Sequence, residues 1–236
     1  MNKIAFFVEG LTELLFLKKL IKEIVNDSKF VLRTQKMRGG GRSLVRIEVL
    51  EEDHEIQTTE CLILITECGG DSSVKSYILE QRQSLMKSGY KKVIGLVDLY
   101  PKEKNALSLY KRGLRYGVPQ VPLEIDFIIA VMEIEAWFIA EKNHFPHIDL
   151  SINDDVIANS LGLSSIDDFI AEDIPHPAAA LNDIYQTAGK AYKKKASTIE
   201  RTIQTLDYSR LYLEMPDTIS SLRELIDVIN NDIIST

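Results

Sequence analysis

Five carboxylates occupy positions where side chains do chemistry: Glu9, Glu13, Asp98, Glu133 and Glu135. Glu9 follows the apolar run at residues 4–8, and Asp98 follows the run at 92–97. An acid at the carboxyl end of a buried strand lies where open α/β sheets bind ligands. If the two strands are neighbours, the acids sit side by side, and like charges that close need a raised pKa or a cation between them. Mg²⁺ takes hard oxygen ligands and keeps several waters. Two such ions about 4 Å apart activate water and stabilise the leaving oxygen in phosphodiester cleavage. Glu13 lies in the first turn of the helix expected after Glu9, with Thr12 as its cap. Glu133 and Glu135 open the helical pattern MEIEAWFIAEK. Residues two apart on a helix do not share a face, so Glu135 is preferred over Glu133.

The basic residues form two local sets. Lys36, Arg38 and Arg42 surround the glycines of KMRGGGRS, where a flexible loop can follow a phosphate backbone. Lys190 and Lys194 stand one turn apart at the start of a helix expected over 190–205, placed to neutralise a scissile phosphate. Overall the chain carries net charge −7 and a pI near 5.2, which disfavours a protein that coats nucleic acid. It does not exclude a nuclease whose acids hold Mg²⁺. The phosphate-binding patterns GxxxxGK[ST] and GxGxxG are absent. Neither the four histidines nor Cys61 and Cys68 have zinc-site spacing.

The elements that must position these groups alternate. Apolar runs at 4–8, 30–34, 61–65, 92–97 and 127–131 read as strands. Helical spacing is found over 11–24, 72–87 and 102–115, and residues 43–50 also read as a helix. The alternation predicts a parallel or mixed α/β sheet flanked by helices over 1–142. Residues 143–236 read as a mainly helical extension, with 209–216 irregular. With 236 residues the chain can bury a substantial core without disulfides. It lacks a run long enough to span a membrane and a secretory pattern, which fits the cytoplasm.

VEGLTELLF resembles the first motif of TOPRIM domains as found in OLD-type nucleases and their small relatives. VIGLVDLYP is similar to the aspartate-bearing strand of that domain. AVMEIEAWFIAEK resembles the Glu-Ala-Trp segment of small TOPRIM-like proteins from prokaryotic mobile and defence loci. The resemblance implies a Rossmann-like TOPRIM fold with a Mg²⁺ or Mn²⁺ site at the sheet edge. It implies Glu9, Asp98 and Glu135 as catalytic residues and Glu9, Glu13, Asp98 and Glu135 as metal ligands. The chain departs from the DxD pattern, because Tyr100 stands where the second acid belongs, and a phenol is a poor Mg²⁺ ligand.

The leading expectation is therefore a metal-dependent nuclease, or nuclease-like effector, hydrolysing DNA or RNA. One alternative is a non-catalytic TOPRIM-like nucleic-acid-binding or regulatory module that works with a partner ATPase. Another is a Mg²⁺-dependent hydrolase of small phosphorylated molecules. Expected partners are DNA or RNA, a partner ATPase and a second copy in a homodimer.

Overall fold

Uninterrupted apolar runs become the three central strands of one sheet. They are β1 (Asn2–Val8), β4 (Cys61–Glu67) and β5 (Lys92–Asp98). Ile4 to Val8 and most of the corresponding residues of β4 and β5 are fully or almost fully buried. Strands covered on both faces read as continuous apolar sequence rather than alternation. Around them lie β2 (Phe30–Gly40), β3 (Ser43–Glu52) and β6 (Glu124–Ala130), in the order β3-β2-β4-β1-β5-β6. The pairs β1–β4, β1–β5 and β2–β4 are parallel, and β2–β3 is antiparallel. This computed structural model describes residues 1–25, 30–40, 43–54 and 59–235.

The helices between parallel strands are α1 (Leu11–Ile24), α2 (Asp71–Lys87) and α3 (Leu107–Arg115). The β1-to-β2 crossover passes β4, and α1 packs on β4. The β4-to-β5 crossover passes β1, and α2 packs on β1. The two crossovers run in opposite directions, so the right-handed rule places α1 and α2 on opposite faces. The result is a mixed, Rossmann-like α/β sheet flanked by helices, with further helices in the C-terminal part. These are α4 (Glu135–Ala140), α5 (Phe145–Ile148), α6 (Asp154–Ser160), α7 (Pro177–Gln186), α8 (Ala196–Thr205), α9 (Tyr208–Leu213) and α10 (Ser220–Ile229). Among the described residues, no helix is long and apolar enough to cross a membrane.

The chain divides into two compact units. The first comprises Met1–Val97, Ser108–Ile129 and Glu224–Thr236, and the second comprises Asp98–Leu107 and Ala130–Arg223. In the first, the carboxyl-terminal segment is tied to the starts of the central strands. The Asn2 side-chain amide donates to the Asp232 carbonyl at 2.9 Å, and Lys92 pairs with the Asp232 carboxylate at 2.8 Å. Close packing also fixes Gly95 in β5. A Cβ built there would lie 2.5 Å from the buried Phe127 ring and 3.2 Å from Val74. Gly95→Ala is therefore expected to lower stability by about 1–3 kcal/mol, as overpacking does. A denaturant midpoint equal to wild type would contradict this.

Several local expectations give way to the tertiary structure. Residues 43–50 form β3, not a helix. Val45, Ile47 and Val49 alternate with Arg46 and Glu48, a period of two, and pairing with β2 satisfies that backbone. The helix expected over 102–115 starts only at Leu107, after a single tight turn at Lys104–Ala106. The region expected to be irregular at 209–216 instead contains α9, capped by Asp207, which accepts from the Arg210 N–H. Thr12 is not the cap of α1. Gly10 holds that position, and its N–H donates to Glu13 Oε2 at 2.8 Å.

Candidate metal centre

In the second unit, the segments that follow β5 and β6 remain hydrogen-bonded to each other. The Leu99 N–H donates to the Ala130 carbonyl at 2.9 Å, and the Tyr100 N–H to the Met132 carbonyl at 2.8 Å. That pairing carries Asp98 alongside the turn at residues 131–134, where Met132 adopts φ +64°. The Ile134 N–H donates to Asp98 Oδ1 at 3.1 Å. Glu133 lies in this turn, ahead of α4, and Glu135 is the first residue of the helix. The two acids are therefore not both on a regular helix, and the face argument against Glu133 does not apply.

Asp98, Glu133 and Glu135 each present a carboxylate oxygen, and these atoms all lie within 4.8 Å of one another. All three residues are buried, Glu135 completely. Three hard oxygen donors at this spacing form a centre able to hold a divalent metal ion.

The surrounding groups orient the acids. Tyr192 OH donates to Glu135 Oε1 at 2.8 Å. The Ala178 N–H, in the first turn of α7, donates to Glu133 Oε2 at 2.9 Å. Lys194 Nζ lies 3.0 Å from Glu133 Oε1 and 3.4 Å from Glu135 Oε1. Burial works against the Lys194 charge. The carboxylates of Glu135, Glu133 and Asp98 more than offset it and hold the ammonium above the usual lysine range. Three carboxylates thus face one ammonium.

The surroundings of the other expected site residues are as follows. Glu9 and Glu13 belong to the first unit and are not members of the trio. Glu13 is buried and caps α1 through Gly10. Lys36 on β2 pairs with Glu67, and Arg38 pairs with Glu48 at 2.7 Å. Arg42 lies outside the described residues. Lys190 is exposed in the loop before α8. The expected helix over 190–205 begins only at Ala196. The loop ahead of it is held by Tyr192, whose N–H donates to Asn182 Oδ1 at 3.1 Å, and Lys194 has φ +30°. Lys190 and Lys194 are thus not one helical turn apart. Tyr100 is no ligand of the trio, and its ring meets His176 edge-on at 5.5 Å.

Sequence reasoning undervalued Glu133 and missed Tyr192 altogether. Glu133 depends on α4 starting only at Glu135, which the helical spacing of MEIEAWFIAEK does not mark. Tyr192 carries no sequence signal, because its role depends on a loop returning from far along the chain.

The same unit contains a cleft of about 480 Å³, lined by Leu161, Phe169, Ile174, His176 and Asp183 among others. On α7, Ala179, Ala180 and Asp183 face the cleft with His176. Pro177, Leu181, Ile184 and Tyr185 on the same helix are buried. The helix that donates an N–H to Glu133 therefore also forms a wall of the cleft.

No protein-family profile and no curated protein matches the sequence. A structural comparison matches a crystal structure described as a cell surface hydrolase from Lactobacillus plantarum WCFS1. The match covers 96% of this chain and 97% of that one, at 11% identity and a TM-score of 0.34. A likeness at that level carries no functional argument.

Proposed function

We propose that this chain is a divalent-metal-dependent hydrolase of phosphoester bonds, with Asp98, Glu133 and Glu135 as the ion's ligands. The observation that carries this reading is the convergence of three buried carboxylates around one lysine. A bound Mg²⁺ or Mn²⁺ supplies Lewis-acid polarisation of a phosphoryl oxygen and acidifies an attacking water. The chain's own groups supply the rest. Tyr192 and the Ala178 N–H fix the orientation of Glu135 and Glu133, as outer hydrogen bonds do around metal sites. Lys194 presents a permanent positive charge that stabilises the extra negative charge of the transition state.

A small phosphorylated substrate fits this reading better than a nucleic acid. The cleft lined partly by α7 has a volume of about 480 Å³, in the range of small-molecule sites. Of the residues expected to contact a phosphate backbone, Lys36 and Arg38 are already engaged with carboxylates. The test is hydrolysis of p-nitrophenyl phosphate, bis-p-nitrophenyl phosphate, DNA and RNA with Mg²⁺ or Mn²⁺, beside calorimetric ion binding. Turnover of the small esters alone supports the reading, and cleavage of DNA or RNA alone supports the nuclease. Ion binding without turnover favours a regulatory module.

The TOPRIM-type assignment is a further proposal, supported by the β1–Glu9–Gly10–α1 arrangement at VEGLTELLF. It gives Glu9 the catalytic role, so Glu9→Ala is expected to abolish hydrolysis with the fold retained. Unchanged turnover in that variant removes the assignment.

Lys194→Met separates a catalytic cation from a mere counterion. Without the competing ammonium, divalent ions are expected to bind more tightly, while kcat falls about 10²–10³-fold, the usual loss of one preorganised electrostatic group. Calorimetry and steady-state kinetics read the two effects separately. Weaker ion binding in this variant would contradict the placement of Lys194.

A further inference from the structure

β3 is a sheet edge with unusual features. It is ten residues long and pairs only with β2 among the described strands. Natural edge strands are usually short or guarded by lysine, proline or an overlying segment. Here Ile47, Val49 and Leu50 are 46%, 45% and 45% exposed. The sequence around Ile47 is also symmetric in chemical type: Val45-Arg46-Ile47-Glu48-Val49.

We propose that β3 is a homodimer interface, pairing antiparallel with β3 of a second copy about a twofold axis at Ile47. Such a pairing is isologous, as twofold dimers are. It places Ile47 against Ile47 and Val49 against position 45, also valine. Arg46 lies opposite Glu48 twice, once on each side of the axis. Opposite charges and β-branched residues directly across an antiparallel pair are both favourable. Within the chain, Arg46 stands opposite Arg38 in the β2–β3 ladder, and Glu48 meets Arg38 at 2.7 Å. The second copy brings its own Glu48 opposite Arg46.

The register is specified as well as the partner. A shift of the sum of paired positions by one residue puts charged positions against apolar ones. A shift by two sets Arg46 against Arg46, or Glu48 against Glu48, which repel. Regular pairing with β2 runs from Arg46 to Val49, since the register steps between Glu51 and Val49 and again between Arg46 and Ser43. The charged pair Arg46 and Glu48 and the axis at Ile47 lie within that regular stretch.

The test is mass in solution by sedimentation and light scattering over a concentration series. The expected species has twice the 26.7 kDa chain mass. Arg46→Glu sets acids against acids and is expected to raise the dimer Kd about tenfold or more. Adding Glu48→Arg to that variant restores complementarity and is expected to recover the dimer. Position 47 faces itself, so Ile47→Cys is expected to form a disulfide-linked dimer on mild oxidation much faster than Val49→Cys. Cys61 and Cys68 are buried and do not compete. A monomer at every concentration overturns the proposal. So does a charge-swapped double variant as monomeric as the single one, or equal cross-linking from positions 47 and 49.

Discussion

Glu135→Gln is expected to lower kcat/KM for metal-dependent hydrolysis by about 10³-fold or more and to weaken Mg²⁺ or Mn²⁺ binding in parallel. The change is nearly isosteric. An amide oxygen still accepts from Tyr192 OH, now 2.8 Å from Glu135 Oε1, so the hydrogen bond that positions residue 135 is retained. What is lost is one of the three charges facing the ion. Because the trio is buried, that charge acts where the effective dielectric is low and each charge counts more than in water. The fold is expected to survive, because removing one of three crowded acids relieves like-charge repulsion. The informative outcome is loss of turnover and of ion binding with an unchanged melting temperature. Full activity in this variant would end the assignment of the centre at Asp98, Glu133 and Glu135. Loss of turnover with ion affinity intact would move Glu135 from ligand to proton-transfer group.

Glu141→Ala is expected to produce a large loss of stability in the second unit. Glu141 is fully buried at the end of α4. Its Oε1 accepts from the Asn143 N–H at 3.0 Å, and its Oε2 from the Asp207 N–H at 3.1 Å. Arg210 Nη1 stands 3.6 Å from Oε1. One carboxylate thus ties the turn after α4 to the start of α9. Beside it, the fully buried His144 bridges the Glu141 carbonyl at 2.5 Å and Tyr185 OH at 3.0 Å, and Tyr185 OH continues to Thr202 Oγ1 at 3.0 Å. Alanine leaves the Asn143 and Asp207 N–H groups without that acceptor and removes the buried carboxylate beside Arg210, which keeps Glu214 as a partner. Breaking such a buried pair costs about 3–5 kcal/mol. For a domain of this size that corresponds to a fall in Tm of about 6–20 °C. Glu141→Gln keeps an acceptor oxygen and is expected to fall between alanine and wild type. A scanning-calorimetry Tm for the alanine variant equal to wild type would show that the network is dispensable.

The same contrast separates what was legible in the chain from what was not. Continuous apolar runs at 4–8, 61–65 and 92–97 announce buried strands, because strands covered on both faces need no polar alternation. The period of α1 was equally plain, since Leu14, Leu17, Leu20 and Ile21 repeat at helical spacing and all are buried. Such patterns are local, and local sequence sets them. Asp98 and Glu135 were visible as acids beside those elements for the same reason.

The tertiary structure alone decided which acids meet and what meets them. Glu133 turns inward because Met132 takes a left-handed backbone and α4 starts two residues after Glu133. Helical periodicity does not encode such a turn. Lys194 and Tyr192 reach Glu133 and Glu135 from a loop far along the chain, and no spacing rule links those positions. Glu13, which read as a metal ligand, caps its own helix. Lys36 and Arg38, which read as phosphate contacts, are neutralised by carboxylates across the sheet. Sequence determined where strands end and which charges stand there. The return paths of loops determined which of those charges share a site, because pairing energy falls off over a few ångströms while sequence separation does not report distance.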